Sequence, residues 1–213
     1  MSEVKGIMFD MDNTLLQSKI DFPAMKAEIY NYLSALHVFE DSFNVVDHTS
    51  STLIEHARQK GISESSYEQL MKIAAKHELT GMEGAGLENG ALELLQKLHG
   101  RYVLVILTNN SREAALKALN STGIAPFFDL IVGREQMKAL KPSPSGFEYV
   151  LDTYSGITRS AWISIGDSWI DGKASNDAGI PFISYGKKIS FMKERRVNPV
   201  AAVEHLSELL DYL

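Results

Sequence analysis

The chain has 213 residues, a formal net charge of -6, 45% apolar and 23% charged residues, and no cysteine. A chain of this size buries most of its unfolded surface without staples, and the lack of cysteine excludes disulfides and thiolate zinc sites. The acidic balance argues against non-specific nucleic-acid binding, which needs a basic face.

In chain order, the first predicted element is a buried strand over residues 4–9, which ends on two acids in "FDMDNT". The N-terminal "MSEVKGIMFDMDNTL" meets an Asp too early for a signal peptide, and no apolar stretch approaches a membrane span. The expectation is a cytoplasmic protein with neither membrane nor nucleic-acid partners.

Residues 18–80 carry helical patterns only, over 23–36, 47–60 and 65–78. Pro23 suits a first helical turn, Gly61 follows Lys60 as a stop, and Ser63 or Ser65 could cap the third helix. A helical block of about sixty residues is too long for one crossover. It reads as an inserted helical subdomain at 18–80, within an α/β core formed by 1–17 and 81–213. The chain returns through "TGMEGAGLENG", read as a flexible link.

Beyond that link, helices are expected at 88–99, 112–121, 145–154, 171–178 and 200–210. Short apolar strands are expected at 102–107, 130–132, 161–165 and 181–185. This alternation predicts an α/β fold with a Rossmann-like parallel sheet. Gly123, Gly133 and Gly179 fall where elements should stop.

In an open parallel sheet the carboxyl ends of the strands share one edge, and ligands bind in the crevice there. The first strand ends at Asp10, the second at Thr108 in "LTNNS", and the fourth at Asp167 in "IGDSWID"; "LKPSP" adds Lys141 after the third. Two acids and a hydroxyl from distant parts of the chain should therefore converge in one cleft. Asp10, Asp12, Asp167 and Asp171 gathered together would repel one another. Two charges ~4 Å apart cost about 4 kcal/mol at an effective dielectric of about 20. A hard, oxygen-liganded cation such as Mg²⁺ would offset that, and it would tolerate a phosphate as a further ligand. Lys141 is a point charge suited to a phosphate oxygen, and backbone amides opening the helix at Arg112 offer an anion site. A calcium loop from Asp10 fails, because it needs Gly where Leu15 stands and Glu where Asp21 stands. The six His lack zinc-site spacing, and there is neither a GxSxG elbow nor a Walker motif.

"DMDNTL", "LTNNS", "LKPSP" and "GDSWIDGKASNDAG" resemble, in order, the four motifs of the haloacid dehalogenase-like (HAD) hydrolase superfamily. The helical block resembles the cap of its phosphoglycolate phosphatase and β-phosphoglucomutase branch. The resemblance implies Asp10 as nucleophile, Asp12 as the acid and then the base, and Thr108, the Asn109 amide and Lys141 as phosphoryl ligands. It also implies Mg²⁺ held by Asp10, the Asp12 carbonyl and Asp167, with Asp171 ligating through water or holding Lys141. The family most often has Gly where Asn13 stands, and Asn tolerates a left-handed backbone there. The second Asp favours phosphate over haloacid chemistry. The implied activity is a Mg²⁺-dependent phosphatase acting on a small phosphorylated metabolite. The alternatives are a sugar phosphomutase or, from another class, a non-catalytic binding protein. Asn110, Ser111 and Arg112 read as capping and surface residues, and Trp169 as packing.

Overall fold

The computed structural model describes residues 3–40, 42–186 and 189–213. The chain begins with β1 (Gly6–Phe9) and a two-residue β2 (Leu16–Gln17), then runs through three helices, α1 (Phe22–Ala35), α2 (Ser50–Gln59) and α3 (Glu64–Gly81). After β3 (Gly86–Leu87) come α4 (Ala91–Leu98), β4 (Val103–Leu107), α5 (Arg112–Ser121) and β5 (Leu130–Val132). The last part holds α6 (Ser145–Thr153), β6 (Trp162–Gly166), α7 (Trp169–Asp177), β7 (Phe182–Tyr185), α8 (Ile189–Glu194), β8 (Ala201–Val203) and a closing 3₁₀ segment, Leu206–Tyr212.

Six strands form one parallel sheet in the order β5-β4-β1-β6-β7-β8. This is the doubly wound α/β arrangement expected, with the strand order reversing at β1. The strands read as nearly continuous apolar runs, broken by Ser164 and Ser184, because helices cover both faces. Alternate residues divide between the two layers. Ile7, Phe9, Leu104 and Ile106 pack with Leu94, Leu95, Ala115 and Leu119 of α4 and α5. Met8, Val105 and Leu107 pack with Phe147, Val150, Ala174 and Ala178 on the other face.

The helices 18–80 do not stand apart from that core. Met25, Ile29, Leu33, Leu53 and Leu70 belong to the same buried apolar cluster as Ile7 and Phe9. Each helix starts on a side-chain cap: Asp21 accepts from the Ala24 amide, Thr49 forms a capping box with Thr52, and Ser63 accepts from Ser66. The expected start at residue 47 is therefore corrected. Residues Val45–Asp47 form a separate 3₁₀ turn, because the Thr49 cap fixes the helix to begin at Ser50.

Two further expectations fail. The return link is not a loose segment, since Gly86–Leu87 pairs antiparallel with Leu16–Gln17 and the Glu88 amide bonds the Leu15 carbonyl at 2.9 Å. The helix expected at 200–210 is instead β8 followed by the 3₁₀ segment. Pairing with Ile183, Ser184 and Tyr185 at the open edge of the sheet outweighs the local helical preference of "AAVEH". Among the described residues no helix is long and apolar enough to cross a membrane.

At the base of the insertion the chain crosses itself at Gly81. A Cβ there would lie 2.4 Å from the Ile20 Cα, and the Lys19 amide donates to the Gly81 carbonyl at 2.8 Å. Backbone cannot swing aside as a side chain can. Gly81→Ala is expected to cost about 1–3 kcal/mol, read as a lower urea midpoint with an unchanged slope.

Candidate active site

The site is built on the carboxyl edge of the sheet, where β1, β4 and β6 end side by side. Asp10 follows β1, and its amide continues the ladder by donating to the Ile165 carbonyl at 2.9 Å. The chain then turns sharply. The Met11 carbonyl accepts from the Leu15 and Leu16 amides, both at 3.0 Å, and Asn13 takes a left-handed φ of 55°. Met11, Leu15 and Leu16 are fully buried, which anchors this turn and with it Asp10 and Asp12.

Asp10, Asp12, Thr108, Asn109, Lys141, Asp167 and Asp171 all line one cavity of about 530 Å³. The sequence-derived candidates therefore meet, and the far wall comes from α1, α2 and α3, including Met25, Lys26, Ser51, Ile54, Met71 and Ala74.

Lys141 sits at the centre with 2% exposure. Its Nζ donates to Asp10 Oδ1 at 2.7 Å and to the Leu107 carbonyl at 2.8 Å, and pairs with Asp171 Oδ1 at 2.7 Å. Burial alone would favour the neutral amine, but the Asp10 and Asp171 carboxylates outweigh it and raise the pKa. The ammonium stays charged. Asp10 Oδ2 accepts in turn from the Thr14 hydroxyl at 3.3 Å.

Asp12 sits in a different environment. It is 8% exposed, and one oxygen accepts from the Asn110 side-chain amide at 2.7 Å. The other, Oδ1, is buried without a hydrogen-bond partner. Burial first, and the Asp10 charge second, push its pKa up to about 7. Asp171, whose Oδ2 accepts from the Ser168 amide at 3.0 Å, is also pushed up to about 7, by burial and then by Asp10.

Asp10, Asp167 and Asp171 each offer a carboxylate oxygen within 4.8 Å of the others. An all-oxygen donor set crowded in this way fits a hard cation such as Mg²⁺. The Asp12 carboxylate is not part of this group; it is turned to Asn110.

Thr108 is buried, and its hydroxyl accepts from the Asn110 amide at 3.1 Å. The Asn109 side chain braces the Lys141 loop, accepting from the Lys141 amide at 2.8 Å and donating to its carbonyl at 3.0 Å. The anion site expected at the start of α5 is not open. The Ser111 amide already donates to Glu78 Oε2 at 3.0 Å, and the Arg112 amide to Glu135 at 2.8 Å. Glu78 is buried in α3 and pairs with Arg134 at 2.5 Å, which also reaches the carbonyls of Met71 and Asn109.

Sequence reasoning missed several of these groups. Asn110 is a buried partner of Asp12 rather than a surface residue, and Thr14 steadies Asp10. Their only signal is adjacency to "DMD" and "LTN". Glu78 and Arg134, on separate elements, carry no local signal at all. Trp169 does pack, against the cluster of Phe182, Met192 and Val197.

The family model described as haloacid dehalogenase-like hydrolase matches residues 7–185. A phosphoglycolate phosphatase of Rhodobacter capsulatus is 26% identical over 97% of this chain and 93% of its own length. The pyrophosphatase PpaX of Listeria innocua is 24% identical over 83% of this chain and 80% of its own. Among solved structures, a HAD hydrolase of Bacillus subtilis bound to magnesium superposes with a TM-score of 0.65 at 21% identity, covering 100% of this chain and 99% of that one.

The raised Asp12 pKa makes a stability prediction for metal-free protein. Its folded value of about 7 lies above the ordinary carboxylate range, so the folded state holds a proton that the unfolded state releases. Stability therefore falls as pH rises from about 4 to about 7. Asp12→Asn removes the charge and keeps an acceptor for Asn110. In EDTA it is expected to stabilise the fold by about 2–4 kcal/mol at pH 8, with the gain shrinking toward pH 5 in denaturant titrations.

Proposed function

This chain belongs to the haloacid dehalogenase-like hydrolases and is a phosphatase, and we propose that it cleaves the monoester of a small phosphorylated metabolite through an aspartyl phosphate on Asp10. One Asp10 oxygen attacks phosphorus as the ester oxygen leaves, and Asp12 gives that oxygen its proton. The Asp12 carboxylate then takes a proton from water, whose oxygen attacks phosphorus and releases Asp10. Splitting the displacement in this way replaces one difficult step with two easier ones.

The Lys141 ammonium, the Thr108 hydroxyl and the Asn109 amide hold phosphoryl oxygens, so the charge that develops meets fixed donors rather than water. Mg²⁺, held by Asp10, Asp167 and Asp171 with the Asp12 carbonyl, would supply the remaining neutralisation of charge. The crowding of three carboxylates and the magnesium in the Bacillus subtilis relative support this choice of metal. Residues 18–80 act as a cap that walls a cleft of about 530 Å³.

One observation carries the reading: two carboxylates one residue apart have opposite surroundings. Asp10 is ion-paired to a charged lysine, while Asp12 is buried, bonded to a neutral amide and raised to about 7. Carboxylates whose environments are driven apart like this are suited to a nucleophile and an acid–base partner.

Asp10→Asn is expected to abolish release of inorganic phosphate from a panel of phosphomonoesters assayed with Mg²⁺; equal activity in the variant would sink the assignment. Chelation with EDTA should also remove activity, and added Mg²⁺ should restore it. Lys141→Ala is expected to lower kcat by about 100- to 1000-fold.

A further inference from the structure

The loop that carries Lys141 is held from two sides. On the sheet side, the Asn109 side chain bonds the Lys141 amide and carbonyl. The Ser145 hydroxyl donates to the Ala139 carbonyl at 2.6 Å and accepts from its amide at 3.1 Å. On the other side the grip comes from α2, a helix of the insertion. Glu55 Oε1 accepts from the Leu140 amide at 2.8 Å, and Arg58, one turn further along the same helix, donates to the Lys138 carbonyl. Glu55 is half-buried, and Leu140, 4% exposed, lines the cavity.

The bonded amide immediately precedes Lys141. A carboxylate accepting a backbone N–H makes a short, charge-assisted bond that fixes the peptide plane. The plane that Glu55 holds is that of the 139–140 peptide, and Asn109 holds the next one, 140–141, so the two together fix the root of a side chain whose Nζ must reach Asp10, the Leu107 carbonyl and Asp171. A displacement of 1 Å at a reacting group can cost on the order of 100-fold in rate.

Building on the role proposed above for Lys141, we infer that Glu55 is a positioning residue, which makes the seating of α2 a condition for presenting the lysine. The insertion then does more than wall the cleft: it completes a loop of the sheet domain. Glu78 plays the matching part at the other phosphoryl loop, where it accepts from the Ser111 amide. Glu78 also neutralises buried Arg134, so removing it would strand a buried charge and confound any test. Glu55 has no such burden, and Ala is the best helix former at an interior position of α2.

The test compares wild type, Glu55→Ala and Glu55→Gln by two readouts, with melting curves to confirm that each variant is folded. The first is acetylation of Lys141 by acetic anhydride in ligand-free protein, followed by mass spectrometry. The second is hydrolysis of p-nitrophenyl phosphate with Mg²⁺. Glu55→Ala is expected to raise Lys141 acetylation about tenfold and to lower kcat about tenfold, with KM within about twofold. Glu55→Gln, whose amide oxygen can accept the same N–H, should return both to within about threefold of wild type. A folded Glu55→Ala protein with wild-type Lys141 protection would overturn the inference, as would a Gln variant no better than Ala. Acetylation does not depend on turnover. A wild type that lacks Asp10-dependent activity while Lys141 still responds to Glu55 would therefore count against the proposed function and leave the positioning role standing.

Discussion

The arrangement turns on one buried ammonium. Lys141 has given up its water, and that loss is tolerable only because it donates to Asp10 and the Leu107 carbonyl and lies within ion-pair distance of Asp171. Those acceptors come from the ends of β1 and β4 and from α7, so the ion cluster ties together three parts of the sheet edge. Replacing such a cluster with apolar residues often leaves stability unchanged or improves it. Its place on the cavity wall therefore speaks for chemistry rather than for the fold. It also sets the neighbours' behaviour: Asp10 shares the lysine's charge, while Asp12, one residue away, is bonded to a neutral amide.

The helices 18–80 are bound to this edge by polar as well as apolar contacts. Their apolar faces join the cluster that covers one side of the sheet. Their carboxylates go further, with Glu55 accepting from the Leu140 amide and Glu78 from the Ser111 amide. In both places an acid of the insertion satisfies a donor of a core loop that borders the cavity, where water would otherwise serve. These carboxylates are spent on backbone amides and on Arg134 rather than facing the cleft unpaired.

Much of this was legible in the order of residues. The strands of 4–9, 102–107, 130–132, 161–165 and 181–185 were each recovered to within two residues, because runs buried on both faces are nearly continuously apolar, with Ser164 and Ser184 the buried polar residues within them. Asn13 took the left-handed turn that its side chain permits. What was not legible depends on partners distant in sequence. β8 exists because β7 leaves an edge to pair with, and the start of α5 is closed because Glu78 arrives there from thirty-three residues away.

By itself the amino-acid sequence determined the α/β alternation, the strand-end placement of Asp10, Thr108 and Asp167, and the presence of a lysine after the third strand. These follow from local periodicity and from the rule that parallel strands finish on one edge. Only the tertiary structure decided which groups share a proton or a charge: Lys141 with Asp171, Asp12 with Asn110, Leu140 with Glu55. Hydrogen bonds and ion pairs act over about 3 Å, and no pattern along the chain specifies a distance that short between residues so far apart.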